Sequence, residues 1–404
     1  MIPRLKPCFG KEELYALFSL SGASVSDFEK EFAKTLRVKY AVAFNYGRSA
    51  LYTILKSAEI QNKEVILPAY TCVVVANAIV LSGNIPRFID ICPDNFTMDL
   101  ELLKKAINSN TGAVIATHLF GYPMNTDKIR EIVKSSGKNI LLVQDCAQSF
   151  GNSFNGSLVC NQGDIALYSL RWSKIICTVL GAIVTTNNDE IYEKTIKFRD
   201  QHFYNPGIFS RLRHFIYVLS TYGIFNNKTY GYINFLEDLH LIDHFTISYD
   251  RKVINFPSDA MELLTDSAAR IGMVQLKKYN FIIQKRRFIA DYYNKHLSGV
   301  EGLILPESAE GATWSYYSPR VKNKKDIISK MRKRGIHIGE VLEYAVPDMK
   351  LYNKYKDKQF PVAEECARIT INLPCYPDLK EPEMRHIVKS LKESLKSRPV
   401  TGTK

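Results

Sequence analysis

The first half of the chain alternates between short apolar runs and helical patterns, and this alternation restricts the possible folds most. Continuously apolar strands joined by helices are typical of a mostly parallel sheet that helices cover on both faces. The sequence therefore predicts an α/β fold around a seven-stranded sheet. The predicted strands are 40–44, 64–67, 87–91, 113–117, 140–144, 165–169 and 182–186, and the predicted helices are 47–58, 73–81, 99–107 and 125–134.

The domain organisation follows from length and from a change in texture. A chain of 404 residues is too long for one simple core. The segment 203–256 is rich in aromatic side chains and poor in charges, and it is followed by a long helical pattern over 261–297 and a strand-like stretch over 312–321. We predict a large domain, residues 1–255, with 203–256 as a helical insertion, and a smaller C-terminal α/β domain, residues 256–404.

The charge balance favours anionic partners. Lys and Arg number 54 against 41 Asp and Glu, a formal net charge of +13. The densest basic stretch, 322–334, alternates with apolar residues at helical spacing and carries no recognition motif, so we interpret it as the solvated face of a helix. We expect no nucleic-acid binding, because no recognition motif accompanies the charge, and a phosphorylated metabolite would attract it equally.

Cysteine usage and the N-terminus indicate the compartment. The 8 cysteines are scattered, with neither CxxC pairs nor Cys/His ligand spacing, so we expect free thiols and no metal site. The N-terminus has no apolar signal core, and no run reaches the ~18 uninterrupted apolar residues that a spanning helix needs. We therefore expect a cytoplasmic protein.

Chemically active side chains follow three of the predicted strands. Residues 47–49 open a helix after the first strand, Asp145 follows the fifth, and Ser169 and Lys174 lie at and after the end of the sixth. Functional residues gather beyond the carboxyl ends of strands in such sheets. A carboxylate and a lysine could form a simple ion pair. The full set, however, is what pyridoxal phosphate (PLP) needs: a lysine to bind it, a carboxylate for its ring nitrogen, and a hydroxyl with a helix N-terminus for its phosphate.

Further motifs resemble the DegT–StrS family of PLP-dependent sugar aminotransferases. The resemblance covers nearly the whole chain except about 203–256, and it implies the fold-type-I architecture of PLP-dependent transferases and a homodimer. The stretches that carry it include Pro68-Ala-Tyr70-Thr71, His118-Leu-Phe-Gly121-Tyr-Pro123, Asp145-Cys-Ala147-Gln148, and Lys174 five positions after Ser169.

The resemblance also implies roles for individual residues. Lys174 would bind PLP covalently, Asp145 would face the pyridinium nitrogen, and Gln148 would lie near the phenolic oxygen. The residues that would hold the phosphate are Gly47, Arg48, Ser49 and Ser169.

The chain departs from the family pattern at four places. Tyr46-Gly47-Arg48 stands where Ser-Gly-Thr is usual, and Cys72 stands where an aromatic residue commonly stacks on the cofactor ring. Val179-Leu180-Gly181-Ala182 replaces Gly-Glu-Gly-Gly, and the motif that brings an asparagine to the partner subunit's phosphate falls at 261–263 without a recognisable replacement. The cofactor side is thus expected to be retained and the substrate side rebuilt.

The implied reaction has two halves, with an amino-acid donor (glutamate by analogy) and a keto-sugar acceptor, in the first instance nucleotide-linked. Two alternatives stay open: a hydrophobic or lipid-linked ketone at a membrane surface, and a PLP-binding regulatory protein without turnover. The segment 203–256 would cover the active-site mouth or extend the dimer interface. Alternatively, it would contact the inner face of a membrane, with basic side chains available for anionic headgroups. These side chains are Arg211, Arg213, Lys228, Arg251 and Lys252.

Overall fold

A computed structural model describes residues 1–19, 21–225, 229–232 and 253–396. Strands and helices are numbered in chain order within these residues. The strands are β1 (Tyr40–Phe44), β2 (Glu64–Pro68), β3 (Ile85–Ile89), β4 (Thr111–Thr117), β5 (Leu141–Asp145), β6 (Ser153–Phe154), β7 (Ser157–Leu158), β8 (Ile165–Ser169), β9 (Ala182–Thr186), β10 (Leu303–Ile304) and β11 (Arg320–Val321). The α-helices are α1 (Lys11–Phe18), α2 (Val25–Leu36), α3 (Gly47–Ser57), α4 (Val73–Leu81), α5 (Leu100–Ala106), α6 (Thr126–Ser135), α7 (Asp189–His202), α8 (Ile208–Ile224), α9 (Asp266–Leu297), α10 (Lys324–Lys333), α11 (Pro361–Ile369) and α12 (Glu381–Lys396).

The central sheet has seven strands in the order β1-β9-β8-β5-β4-β2-β3. Strands β3, β2, β4, β5 and β8 pair in parallel, and β9 runs antiparallel to both β8 and β1. All residues of β4 are buried, as expected for a strand covered on both faces. The predicted α/β class and the seven-stranded, mostly parallel sheet are confirmed.

One strand starts and ends two residues earlier than the sequence predicts. The pattern gave 87–91, whereas β3 is Ile85–Ile89. Asp90 leaves the sheet because its carboxylate bonds to the start of α11. Ile91 instead forms an isolated antiparallel bridge with Met98.

The predicted strand over 312–321 is wrong for most of its length. Arg320–Val321 pairs with β10, and Tyr317 and Arg320 form isolated bridges with Leu373 and Thr370. The carbonyl of Ser315 accepts a hydrogen bond of 2.8 Å from the buried guanidinium of Arg286. Trp314 adopts a left-handed φ of 50°, which a strand does not tolerate. The carbonyls of Ser315 and Ala312 accept from Arg286 and Arg287 of α9. The N–H groups of Thr313 and Tyr316 donate to the carbonyls of Gly121 and Phe120.

The basic stretch forms α10, but it is not uniformly solvated. Lys324 and Lys330 are buried and form ion pairs with Glu340 and Asp326. The sequence pattern could not reveal this, because Glu340 lies in a different part of the small domain. The boundary at residue 255 stays a prediction. All strands of the central sheet precede it.

The expected free thiols are found at all eight cysteines. Among the residues that the structure describes, none of the helices combines the length and the apolar character needed to cross a bilayer.

Asp90 joins the sheet to the C-terminal part of the chain. Its side chain is 6% exposed, and its two oxygens accept hydrogen bonds from the N–H groups of Val362 (3.0 Å) and Ala363 (2.9 Å). Helix α11 has no side-chain cap from its own N-cap residue, Phe360. Asp90, 272 and 273 positions away in sequence, therefore satisfies these two N–H groups. It also places a negative charge at the positive end of the helix.

We predict that Asp90→Ala lowers the free energy of unfolding by about 1–2 kcal/mol, the usual cost of losing a helix cap. Urea denaturation measures it. Asp94→Ala is the matched control, because Asp94 is 72% exposed and its ion pair with Arg320 is long, at 3.8 Å. Equal losses in the two variants would contradict the capping role.

Candidate active site

A cavity of about 670 Å³ lies at the carboxyl edge of the parallel strands. The ends of β4, β5 and β8 form its floor, and the first residues of α3 and α4 form one side. Helix α8 and residues 339–344 of the small domain form the remaining walls. A volume of this size accommodates a cofactor together with a second small molecule.

Asp145 and Lys174 share this cavity. Asp145 is the last residue of β5 and only 4% exposed. It accepts hydrogen bonds from the Ala147 N–H (3.1 Å) and the Thr117 hydroxyl (3.5 Å). Burial raises the pKa of the Asp145 carboxyl, while the Ala147 N–H and the charge of Lys174 act in the opposite direction. A carboxylate in this position favours a cationic partner within the cavity.

Gln148 and His118 fix the loops beside Asp145. The Gln148 side-chain oxygen accepts a hydrogen bond of 2.9 Å from the Phe120 N–H. The His118 Nδ1 accepts from the Met124 N–H (3.1 Å), so its proton resides on Nε2 and is donated to Gln144 at 2.8 Å. Burial lowers the pKa of His118 to about 4, which keeps this cavity-lining imidazole neutral at physiological pH.

The start of α3 supplies a further part of the cavity. Its N-cap residue, Tyr46, makes no side-chain capping bond, and a Cβ on Gly47 would stand 3.8 Å from the Cβ of Ser169. Arg48 is 5% exposed and lines the cavity. The backbone thus approaches the end of β8 closely, and the helix N-terminus faces the space that an anion would occupy.

Of the predicted site residues, Ser49 is the one that the structure separates from the others. Its hydroxyl donates a hydrogen bond of 2.6 Å to the carbonyl of Ala260, and the described residues that line the cavity do not include it. The residues brought together at the cavity are Gly47, Arg48, Cys72, Asp145, Gln148, Ser169 and Lys174.

The loop after Lys174 is held in a strained backbone. Val179 has φ +73°, a conformation that costs a residue other than glycine roughly 1–3 kcal/mol. Its side chain is 1% exposed and belongs to an apolar cluster with Leu17, Val218 and Ile271. Packing against three helices therefore holds the loop in place.

A buried histidine ties α8 to this loop. The Nε2 of His214 bonds to the carbonyl of Thr178 (2.9 Å), and its Nδ1 bonds to the hydroxyl of Ser267 (3.0 Å). Burial lowers the pKa of His214 to about 4. The neutral ring therefore donates from Nε2 and accepts at Nδ1, joining α8, the lysine loop and the start of α9.

The described part of segment 203–256 forms a wall of the cavity, which agrees with the covering interpretation. Its cavity-lining residues are Ile216, Tyr217, Ser220, Ile224, Phe225 and Tyr230. Arg213 forms an ion pair with Asp259, and Arg211 donates to the carbonyl of Pro206 at 3.1 Å. The other basic residues proposed for headgroups, Lys228, Arg251 and Lys252, lie outside the described residues.

Sequence reasoning missed Arg171, which also lines the cavity. A signal was present, because Arg171 lies on the short loop between Ser169 and Lys174, both of which were assigned to the cofactor. What the sequence could not give is the direction of the Arg171 side chain. The backbone of Arg171 forms an isolated parallel bridge with Val179.

The sheet, the cavity and its lysine–carboxylate pair define a class, the PLP-dependent transferases of fold type I. The chain belongs to the DegT/DnrJ/EryC1/StrS aminotransferase family, whose model matches residues 14–221 and 256–392. It is accordingly a PLP-dependent aminotransferase. The first matched part ends at 221, so most of α8 belongs to the family pattern although the predicted insertion began at 203. The second part begins at 256, where the predicted insertion ends.

Individual relatives are similar over almost the whole chain. GDP-perosamine synthase of Escherichia coli O157:H7 is 26% identical, over 97% of this chain and 98% of its own. The dTDP-4-dehydro-2,3,6-trideoxy-D-glucose 4-aminotransferase of Saccharopolyspora spinosa is 27% identical, over 98% of this chain and 97% of its own. Among solved structures, Helicobacter pylori PseC, an aminotransferase of pseudoaminic acid biosynthesis, superimposes with a TM-score of 0.78 at 21% identity, over 98% and 99% of the two chains.

We predict that His214 makes the protein acid-sensitive. Its pKa in the folded state, about 4, lies below the ordinary 6.5. Between these values the unfolded chain binds more protons, so stability falls as the pH drops through that window. Between pH 7 and pH 5 the wild type should lose about 1–2 kcal/mol more of its unfolding free energy than His214→Gln. Urea denaturation at the two pH values tests this.

The control for this experiment is His386→Gln, at an exposed histidine on α12. It should lose as much stability as the wild type. A wild type and a His214→Gln variant with the same pH dependence would contradict the prediction.

Proposed function

We propose that the protein transfers the amino group of an amino acid, glutamate in the first instance, to the keto group of a nucleotide-linked sugar. The observation that carries this proposal is the pairing of Asp145 with Lys174 in one cavity, beside the helix start at Gly47. The names of the relatives support the acceptor class, since two of them are a GDP-sugar synthase and a dTDP-sugar aminotransferase.

The chemistry of the cavity suits PLP. The bound cofactor would supply the carbonyl that takes up the donor's amino group and a protonated ring that delocalises the charge left when the Cα proton departs. Asp145 would hold that proton at the ring nitrogen, because a buried carboxylate is stabilised by a cationic partner. Gly47, Arg48 and Ser169 would bind the phosphate.

Lys174 would have two tasks. Its Nζ would attach the cofactor covalently, and once the donor's amine has displaced it, the same nitrogen would take the proton from the donor's Cα. A general base must lie within hydrogen-bond reach of that carbon. The loop held by Val179 and His214 supports such a fixed position.

The rest of the cavity supports a sugar acceptor that carries phosphates. Arg4, Arg48 and Arg171 line it, against the carboxylate of Glu340 on the small-domain side. Aromatic side chains provide faces on which a sugar ring or a base can stack. These are Trp172, Tyr217, Tyr230, Tyr316 and Tyr344.

The alternatives have less support. A PLP-binding regulator would use the same Asp145 and Lys174, so turnover is favoured by the names of the relatives, a sugar synthase and a sugar aminotransferase. A membrane-bound acceptor would need free basic side chains on the insertion, whereas Arg213 is engaged by Asp259. We retain a cytoplasmic homodimer as part of the proposal on the strength of the family resemblance. Light scattering of the purified protein would test the dimer.

We predict that the PLP-loaded wild type loses the absorbance band of lysine-bound cofactor when glutamate is added. Lys174→Ala should lack that band altogether. Asp145→Asn should keep it but convert at least about 10²-fold more slowly, because the amide holds no proton at the ring nitrogen. Stopped-flow absorbance measures all three.

The matched control is Lys194→Ala, at an exposed lysine of α7, which should behave as the wild type. A band that survives in Lys174→Ala would show that another residue binds the cofactor. A wild type that binds PLP but does not respond to a panel of amino donors would favour the regulator.

A further inference from the structure

Three arginine side chains interact electrostatically with a single carboxylate, Asp259, beside the start of α3. Asp259 is 5% exposed, accepts a hydrogen bond from the Tyr46 hydroxyl (2.7 Å) and forms an ion pair with Arg213. Arg48 and Arg171 lie on the cavity side of this group. Arginine keeps its charge even when buried, so this end of the cavity carries more positive than negative charge.

Arg171 is the member of this group that faces the cavity without a polar protein contact. Its guanidinium forms neither a hydrogen bond nor an ion pair with any residue in the described ranges, which run from 1 to 396 with gaps at 20, 226–228 and 233–252. Arg171 and Arg48 repel each other: burial and the positive charge of Arg171 both lower the pKa of Arg48. An anion between the two side chains would remove that repulsion.

The backbone fixes where Arg171 stands relative to the cofactor residues. Arg171 follows Ser169 by two residues and precedes Lys174 by three. Its carbonyl accepts from the Lys174 N–H at 2.9 Å, and it forms a parallel bridge with Val179. Ser169 in turn meets Gly47 at the helix start. Arg171 therefore stands on the short loop that joins Ser169 to Lys174, lines the cavity, and interacts electrostatically with Arg48 at the start of α3.

Residues 261–263 align with the family motif that brings a partner's asparagine to the phosphate, but in this chain they bond to residues of their own subunit. The carbonyl of Met261 accepts from the Tyr204 N–H (3.0 Å), and the Leu263 N–H donates to the Tyr204 carbonyl (2.9 Å). The carboxylate of Glu262 accepts from the Ser210 hydroxyl at 2.6 Å. These bonds fasten the segment before α8 and the first turn of α8, so the stretch is committed within its own subunit.

We propose that Arg171 binds the phosphate of the cofactor and supplies, within a single chain, the contact that the missing asparagine would make. The proposal rests on the proposed function, because it takes PLP as the ligand. A guanidinium offers two parallel N–H donors to phosphate oxygens, so a direct contact adds both charge and orientation. Phosphate is also present in a nucleotide-linked acceptor, and the experiment separates the two sources.

The test compares PLP with pyridoxal, which lacks only the phosphate. Both are titrated into cofactor-free protein and followed by absorbance, for the wild type, Arg171→Met and Arg171→Lys. We expect Arg171→Met to weaken PLP binding by roughly 10- to 100-fold, the range for a hydrogen bond between charged groups. Its pyridoxal affinity should stay within about twofold of the wild type, since pyridoxal makes no phosphate contact. The PLP affinity of Arg171→Lys should fall between those of the wild type and Arg171→Met, because lysine keeps the charge but loses the paired donors.

The matched control is Arg385→Met, which removes a positive charge from an exposed position on α12. Arg385 does not line the cavity, and its loss should leave PLP affinity unchanged. Thermal unfolding of each variant checks that the fold is intact.

Three outcomes would overturn the proposal. PLP affinity in Arg171→Met equal to that of the wild type would overturn it, and loss of dTDP binding in a separate titration would then assign Arg171 to the acceptor's phosphate. Equal losses for PLP and pyridoxal would assign it a structural role. A wild type that binds neither compound would overturn the proposed function itself, and the inference with it.

Discussion

The charge on the buried carboxylate of Asp145 is the constraint around which the site is organised. Burial raises the pKa of the Asp145 carboxyl and so disfavours the charged form. The Ala147 N–H and the positive charge of Lys174 favour the charged form. Parallel pairing places the end of β5 next to the end of β8, so the residues that follow β8 reach the same cavity. The fold thus brings an acid, a base and a helix N-terminus together without a long flexible loop.

The small domain completes this arrangement through contacts with backbone atoms. Asp90 holds the start of α11. The hydroxyl of Tyr344 accepts from the Val73 N–H at the start of α4. These bonds tie the C-terminal part of the chain to the sheet and to α4, because each joins a side chain of one part to a main-chain N–H of the other. The cavity consequently keeps a defined width between its two sides.

The sequence was informative where local pattern decides structure. Apolar runs bounded by helical periodicity predicted the sheet. The role of Lys174 came from the family resemblance, with its five-residue spacing from Ser169, and stays a proposal. The sequence was uninformative where a distant segment decides the outcome. Ser49 bonds to Ala260, more than 200 residues later, and nothing near Ser49 indicates this. The burial of Lys324 likewise depends on residues outside its own helix, Glu340 and the carbonyl of Ala367.

The strained backbone at Val179 has a consequence for how the protein moves. A glycine would adopt the same φ without cost, but it would not fill the cluster formed with Val218 and Ile271. The unfavourable backbone conformation is therefore maintained by the docking of α8, and α8 is bonded to the same loop through His214 and Thr178. Loop and helix form one cooperative unit. Detachment of α8 lets Val179 relax, and in the same event the lysine loses its fixed position and the cavity loses a wall.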